Sequence, residues 1–417
     1  MSCINCKGSG FLWCNGKRRE CVCVNVESAT ITNVGPNLSN QFNALNVSER
    51  TPIVELFSVY GINEIRDLVL GDVTNDGTEY LVSTALASPS FLQSVERGRY
   101  IPGYAAEGGI GVRTDSVPEG NQVMRWGVFD ESNGFFFGRN ATGIFIAVRR
   151  EGATDLLVQQ PNWNIDPLDG TGPSGYVLEL DRGNIFQIVF TWYGYGVINF
   201  NVVIQDADTL AQEVVTVHRF RPEMETSTTD PNLPLRAEAD DNGTDATPLE
   251  LFVGGRQYSI IGKYNPTFRI TSEIRSITIG ALGVPTTFIS FRRKPIFPAG
   301  SARPNSVTVQ LEGLDIGATN AVTYEIRVGG TPTGTYGNIA NIPPNETALE
   351  VSTDISNLTG GIAIYKGVAP GGGVNRALAT ESQLDLNLID LEPITLIITS
   401  LANNNPTTVS FRMREEW

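Results

Sequence analysis

The sequence predicts an all-β protein made of two consecutive sandwiches, a larger jelly-roll-like one and a smaller immunoglobulin-like one. Three observations carry this. Short segments alternate apolar and polar residues with the period of two that turns one strand face to a core. The 43 glycines and 23 prolines of the 417 residues punctuate those segments with turns. Hydrophobic residues at 41% and charged residues at 18% supply enough apolar surface for a core and too little charge for a disordered chain.

The chain opens Met1-Ser2-Cys3-Ile4-Asn5-Cys6-Lys7, with neither the basic start nor the apolar run of a secretory signal, so synthesis is expected to end in the cytosol. All five cysteines, Cys3, Cys6, Cys14, Cys21 and Cys23, fall in the first 23 residues. Cys3-x-x-Cys6 and Cys21-x-Cys23 form two short chelating pairs separated by a 14-residue loop, the kind of spacing by which small knuckles hold tetrahedral zinc. Cys3, Cys6, Cys21 and Cys23 are therefore the expected ligands of a structural zinc in residues 1–24. Cys14 is a fifth thiol that could replace one of the closing pair, and disulfides or unligated thiols are the competing readings. The run Cys6-Lys7-Gly8-Ser9-Gly10 completes a CxxCxGxG pattern that resembles half of the zinc-binding repeat of DnaJ-type chaperones. That resemblance covers two dozen residues and implies a zinc knuckle only, because no J domain accompanies it.

Residues 25–50 are polar, rich in Asn and Ser and broken by Gly35-Pro36, and are expected to be a linker. The first sandwich is expected over 51–298. Its clearest hairpin joins Ile185–Trp192, with Phe186, Ile188, Phe190 and Trp192 on one face, to Val197–Ile204, with Ile198, Phe200, Val202 and Ile204 on one face. A second joins Gly134–Phe137 to Ile144–Val148 across Arg139–Gly143. Further strands are expected at 108–113, 122–129, 176–180, 213–220, 257–262 and 272–280. Three prolines and a glycine between Arg292 and Pro304 suggest a domain boundary. The second sandwich is expected over 305–417, where Ala321–Val328 alternates cleanly and Val409, Phe411 and Met413 alternate with Ser410 and Arg412.

Composition also restricts chemistry. A formal charge of −15 is the wrong sign for coating a phosphate backbone, and no stretch is apolar enough to span a bilayer, so neither nucleic acid nor membrane is an expected partner. One histidine, His218, in a strand-like run removes most imidazole-dependent arrangements, and it is read as a strand residue. Asp72-Val73-Thr74-Asn75-Asp76-Gly77 opens like a calcium loop, but its twelfth position is Ser83, so it is read as a turn. Asp130, Glu131, Asp166, Asp169 and Glu179 could supply carboxylate pairs, yet no strand carries an alternating acidic glucanase pattern and no enzyme activity is expected. Arg139, Arg149 and Arg150 are read as solvated positions flanking strands. The most ligand-like loop is 162–175, where an exposed Trp163 could stack on a sugar ring while Asn164, Asp166 and Asp169 bind hydroxyls. The simpler reading is a rigid connection in which Trp163 closes the end of the core.

The runs Arg99–Glu107 and Arg125–Asp130 and the Phe186–Ile204 hairpin resemble segments of virion structural proteins of tailed bacteriophages and other large double-stranded DNA viruses. The similar segments cover roughly 51–220. The resemblance implies a concanavalin-like sandwich used in particle assembly or display, located on a virion assembled in the host cytoplasm. On that reading the chain is a non-enzymatic capsid decoration or tail or vertex appendage protein, docked to other virion proteins through its amino terminus and present as a homo-oligomer. The alternative is a lectin-like module that binds a host glycan.

Overall fold

The computed structural model describes residues 11–14, 17–20, 50–191, 195–205, 211–222, 230–262, 267–379, 388 and 392–416, with 11–20 and 374–379 described in backbone only. The expected zinc ligands Cys3, Cys6, Cys21 and Cys23, and the linker as far as residue 49, lie outside these residues.

The described residues are almost entirely strands and turns. The first sandwich stacks two antiparallel sheets. The seven-stranded sheet runs, from edge to edge, Leu156–Gln159, Gly143–Arg149, Gly134–Asn140, Val123–Phe129, Pro234–Asp240, Ser90–Arg97 and Asp67–Leu70. The other runs Gln212–Phe220, Ile198–Gln205, Asn184–Thr191, Ala105–Arg113, Glu250–Ile261, Tyr80–Ser83 and Asp72–Asn75, and Arg50–Leu56 joins the long Glu250–Ile261 strand as its eighth member.

Alternation decides which side chains meet between the sheets. Trp126, Phe135 and Phe137 descend from the seven-stranded sheet onto Phe186 and Phe190 of the other. The Trp126–Phe186, Phe137–Phe186 and Phe135–Phe190 ring centroids lie 5.2, 4.8 and 5.1 Å apart. Each ring is buried in one continuous core. Both expected hairpins form, Asn184–Thr191 pairing with Ile198–Gln205 and Gly134–Asn140 with Gly143–Arg149. Residues 176–180 differ from expectation: they make only an isolated bridge, Asp169 to Val177. Leu178 and Leu180 are still core residues, so the apolar spacing that suggested a strand reflects burial of an irregular segment.

The second sandwich pairs a four-stranded sheet, Arg269–Ile279, Asn405–Glu416, Thr308–Ala318 and Gly373–Ala379, with a five-stranded one, Leu349–Ser352, Pro285–Arg293, Ile394–Ser400, Val322–Val328 and Ile362–Ala369. Arg269–Ile279 pairs along its whole length with Asn405–Glu416, and Pro285–Arg293 pairs with Ile394–Ser400. Strands expected within 51–298 thus belong to the second unit. The proline-rich 295–304 segment is a loop inside it, closed by an Ile296–Pro304 bridge, rather than the hinge between units. The two units meet through the Arg99–Glu416 ion pair and through Ile65, which packs on the second core.

Candidate functional site

The outer face of the eight-stranded sheet carries the most distinctive chemistry. On Ala105–Arg113, Ile110 and Val112 point into the core, so Gly109 and Gly111 face outward. Beside them on Glu250–Ile261 the register shifts between Val253 and Arg256, and the Gly254-Gly255 doublet lies opposite the single residue Gly111. A Cβ added at any of these four glycines would meet nothing closer than 3.8 Å. The centre of the face is therefore a bare backbone floor, open above.

One amide, Gln187, rises beside that floor, and Asn199 and Asn201 lie on the strand beyond it. Gln187 lies directly across from Gly109 and, on its other side, directly across from Asn201, while Asn199 lies across from Val189. Asn201 is 2% exposed and Asn199 7%, yet the side-chain oxygens of Asn199, Asn201 and Gln187 have no hydrogen-bond partner. An acceptor held away from water without a donor costs about 1–3 kcal/mol. Native structures retain few such groups.

Gln257 flanks the floor on the opposite side, facing Gly109 across one ladder and Glu55 across the next. Charge collects at the two ends. Glu107 is buried and bonded to Arg50 at 2.9 Å; its burial pushes the carboxyl above the usual carboxylate range, and Arg50 offsets part of that shift. At the other end Arg113 is paired with Glu79 and lies 3.7 Å over the Phe252 ring. Both arginines are thus engaged with carboxylates.

The 162–175 loop folds differently from the ligand-site expectation. Trp163 is 5% exposed, its indole N–H donates to the Val158 carbonyl at 3.2 Å, and its ring meets Phe137 edge-on at 6.1 Å. It closes the core and offers no stacking platform. Asp166 is buried and accepts the backbone N–H groups of Leu168 and Ser174, which fixes the loop from within. Asn164 exchanges hydrogen bonds with the Arg219 backbone, and Asp169 caps Thr171. The four residues share a loop but present no common binding surface.

The other candidates are structural as well. Asp76 accepts hydrogen bonds from Thr78 and Glu79, which lower its pKa to about 2, as in a tight turn. His218 is buried, accepts the Asn164 N–H at 3.1 Å and is lowered by desolvation to about 4. Arg149 is a correction: rather than being solvated, it is 9% exposed, held by both Asp155 oxygens and packed over Phe129 and Phe136. Arg139 is partly buried and donates to the Ser116 carbonyl. Among the described residues no cluster of three or more His, Cys, Asp or Glu could hold a metal.

The Gly-Gly-Ile-Gly run of 108–111 and the Gly254-Gly255 doublet were the available sequence signals for the floor, since strand glycines mark bulges or close approaches. What placed them side by side was long-range pairing. At the amino terminus, Phe11–Cys14 and Lys17–Glu20 form a hairpin with Phe11 opposite Glu20 and Cys14 opposite Lys17. The ends of this hairpin that lead toward Cys6 and Cys21 therefore lie together, with Cys14 at the turn.

No protein-family model matches the chain, and no curated protein matches it in sequence. Among solved structures it is similar to the metal-free carbohydrate recognition domain of Emp46p, at 9% identity and a TM-score of 0.31, over 51% of this chain and all of that one. A carbohydrate esterase of the Shiga toxin-encoding bacteriophage phi24B is similar at 8% identity and a TM-score of 0.29, over 51% of this chain and 99% of that one. A botulinum neurotoxin type C structure is similar at 7% identity and a TM-score of 0.32, over 53% of this chain. The chain spans about half, 49%, of that toxin chain.

Proposed function

We propose that the chain is a non-catalytic binding module that takes a hydroxyl-rich ligand, a glycan, on the outer face of its eight-stranded sheet. The observation that carries this reading is the side-chain-free floor of Gly109, Gly111, Gly254 and Gly255, flanked by Gln187 and Gln257. Hydroxyls would hydrogen-bond the flanking amides, and glycine lets a ring approach the backbone. Binding of the full-length protein to a glycan array tests it. Reproducible hits are expected, and an array without hits would remove the reading.

The resemblance of segments within 51–220 to virion structural proteins supports placing this module on a particle, where repeated copies would gain avidity. Residues 1–24 would dock it, folded around one zinc held by Cys3, Cys6, Cys21 and Cys23. The hairpin register supports that ligand set, because it joins the ends leading to the two pairs and sets Cys14 at the turn. Native mass spectrometry should find one zinc per chain in a defined oligomer, and a metal-free monomer would count against both. Deleting residues 1–24 should abolish incorporation into particles while leaving the sandwiches folded; normal incorporation would exclude the docking role.

A further inference from the structure

We infer that Arg269–Ile279, an edge strand of the second sandwich, pairs antiparallel with the same strand of a second copy about a twofold axis at Ile274, joining two four-stranded sheets into one of eight. This inference is independent of what the first sandwich binds.

An edge strand presents a row of unpaired main-chain donors and acceptors, which proteins ordinarily keep short, bulged or covered. Leu156–Gln159, Asp67–Leu70, Asp72–Asn75 and Leu349–Ser352 are edge strands of four residues each. Gln212–Phe220 is covered by the 162–175 loop, whose Ile165 and Asp166 N–H groups both donate to the Val217 carbonyl. Ile362–Ala369 is interrupted by a bulge at Ile364. Arg269–Ile279 has none of these protections and runs eleven residues along Asn405–Glu416 without a register shift. The Ile274 N–H is turned away from that ladder, since it donates to the Glu273 carboxylate at 2.9 Å. By alternation the main-chain groups of Ile270, Ser272, Ile274, Ser276 and Thr278 all line the open edge. On the outer face Ile270 is 48% and Ile274 63% exposed.

Charge selects both the partner and the register. An antiparallel self-pair centred on Ile274 sets Arg269 against Ile279 and so uses the whole strand. The same register sets Glu273 opposite Arg275 of the second copy, and Arg275 opposite its Glu273, at the positions where cross-strand side chains approach most closely. Moving the axis by one residue sets Glu273 or Arg275 against itself, and moving it by two leaves both without an opposite charge. Among the described residues neither is in an ion pair within the chain: Glu273 accepts the Ile274 N–H, and Arg275 donates to the carbonyls of Thr287 and Phe288. Asp354, whose charge reaches Arg275, is committed to Thr335 and Ser352. Pairing would hand the Ile274 N–H to a main-chain carbonyl and release the Glu273 carboxylate to the arginine. About ten main-chain hydrogen bonds would form along the seam. It would also bring Phe268, at the start of one strand, to Leu282, just past the end of the other; these are 51% and 55% exposed.

The exposed axis position supplies clean variants. Residue 274 faces itself only in this register, so Ile274→Lys and Ile274→Glu each set two like charges against each other, while a mixture of the two sets opposite charges together. The experiment is sedimentation velocity of full chains under reducing conditions at micromolar concentrations, with the thermal midpoint of each variant measured alongside. Wild type should associate, and each variant alone should associate at least tenfold more weakly with an unchanged midpoint. An equimolar mixture of Ile274→Lys and Ile274→Glu should recover the association as a heterodimer. Glu273→Lys, which faces Arg275 of the second copy with a like charge, should also weaken association at least tenfold. A monomeric wild type would overturn the inference outright. An assembly that the Ile274 variants leave intact would place the contact on another surface and overturn it as well. Weakening by both Ile274 variants without recovery in the mixture, or no effect of Glu273→Lys, would overturn the register.

Discussion

Arg256 donates to Asp67 at 2.6 Å, with both side chains withdrawn from water, and so ties the long Glu250–Ile261 strand of one sheet to the edge strand Asp67–Leu70 of the other. Asp67 also accepts the Asn63 N–H at 2.9 Å. Removing the carboxylate charge leaves a guanidinium buried without its counter-ion. Asp67→Asn should destabilise the protein by about 3–5 kcal/mol, read as a lower urea midpoint. Asp67→Leu combined with Arg256→Met should recover much of that loss, since no buried charge then remains unpaired.

The two kinds of strand glycine should respond oppositely to a methyl group. At Gly138 a Cβ would sit 2.3 Å from the Phe145 ring and 2.6 Å from the Met124 carbonyl oxygen, whereas at Gly111 it has 3.8 Å of clearance. Gly138→Ala should cost about 1–3 kcal/mol through overpacking. Gly111→Ala should be neutral or stabilising by about 0.4–1 kcal/mol through reduced unfolded-state entropy. Paired thermal melts check this, and a large loss at Gly111 would mean the floor is covered in the native state.

Trp163→Ala should act on stability rather than as a selective loss of binding. The ring is buried against Phe137 and its N–H is satisfied by Val158, so truncation leaves a cavity costing about 3–5 kcal/mol. Chemical denaturation measures the loss. Full stability with abolished glycan binding would instead restore the loop as the contact site.

His218 gives the fold a defined acid sensitivity. Burial lowers its folded pKa from 6.5 to about 4, and its Nδ1 must stay unprotonated to accept the Asn164 N–H. The unfolded chain therefore binds this proton first as pH falls. The contribution of neutral His218 is complete above about pH 6.5 and is lost progressively down to about pH 4, for a total of roughly 3 kcal/mol. The difference in unfolding free energy between wild type and His218→Gln should shift across that interval and level off below it. A pH-independent difference would show that the ring is solvated.

The ion pair between Arg99 and Glu416 joins the two sandwiches, and Arg414 is a second ion-pair partner of Glu416 at 2.9 Å. Glu416→Gln should weaken the junction and separate one calorimetric transition into two. An unchanged single transition would assign the coupling to the apolar contact of Ile65 instead.

Fold class was legible because alternation is a local property. Phe186, Ile188 and Phe190 identify one strand face without reference to any partner, and the glycines and prolines mark where strands end. Local pattern could not tell which sheet a strand joins. Arg269–Ile279 and Pro285–Arg293 precede the proline-rich segment in sequence but pair with strands more than a hundred residues later. Nor could it tell an exposed Trp163 from a buried one, since Phe137, which covers it, is supplied by another strand.

By itself, then, the sequence determined strands, turns, the acidic balance and the clustering of thiols, each set by neighbours within a few residues. The tertiary structure alone decided where the sheets divide, that Arg149 and His218 lose their water, and that Gly109, Gly111, Gly254 and Gly255 form one floor between Gln187 and Gln257. The reason is physical: burial and hydrogen-bond satisfaction depend on groups brought together by long-range pairing, and in a β-sandwich those groups lie far apart along the chain.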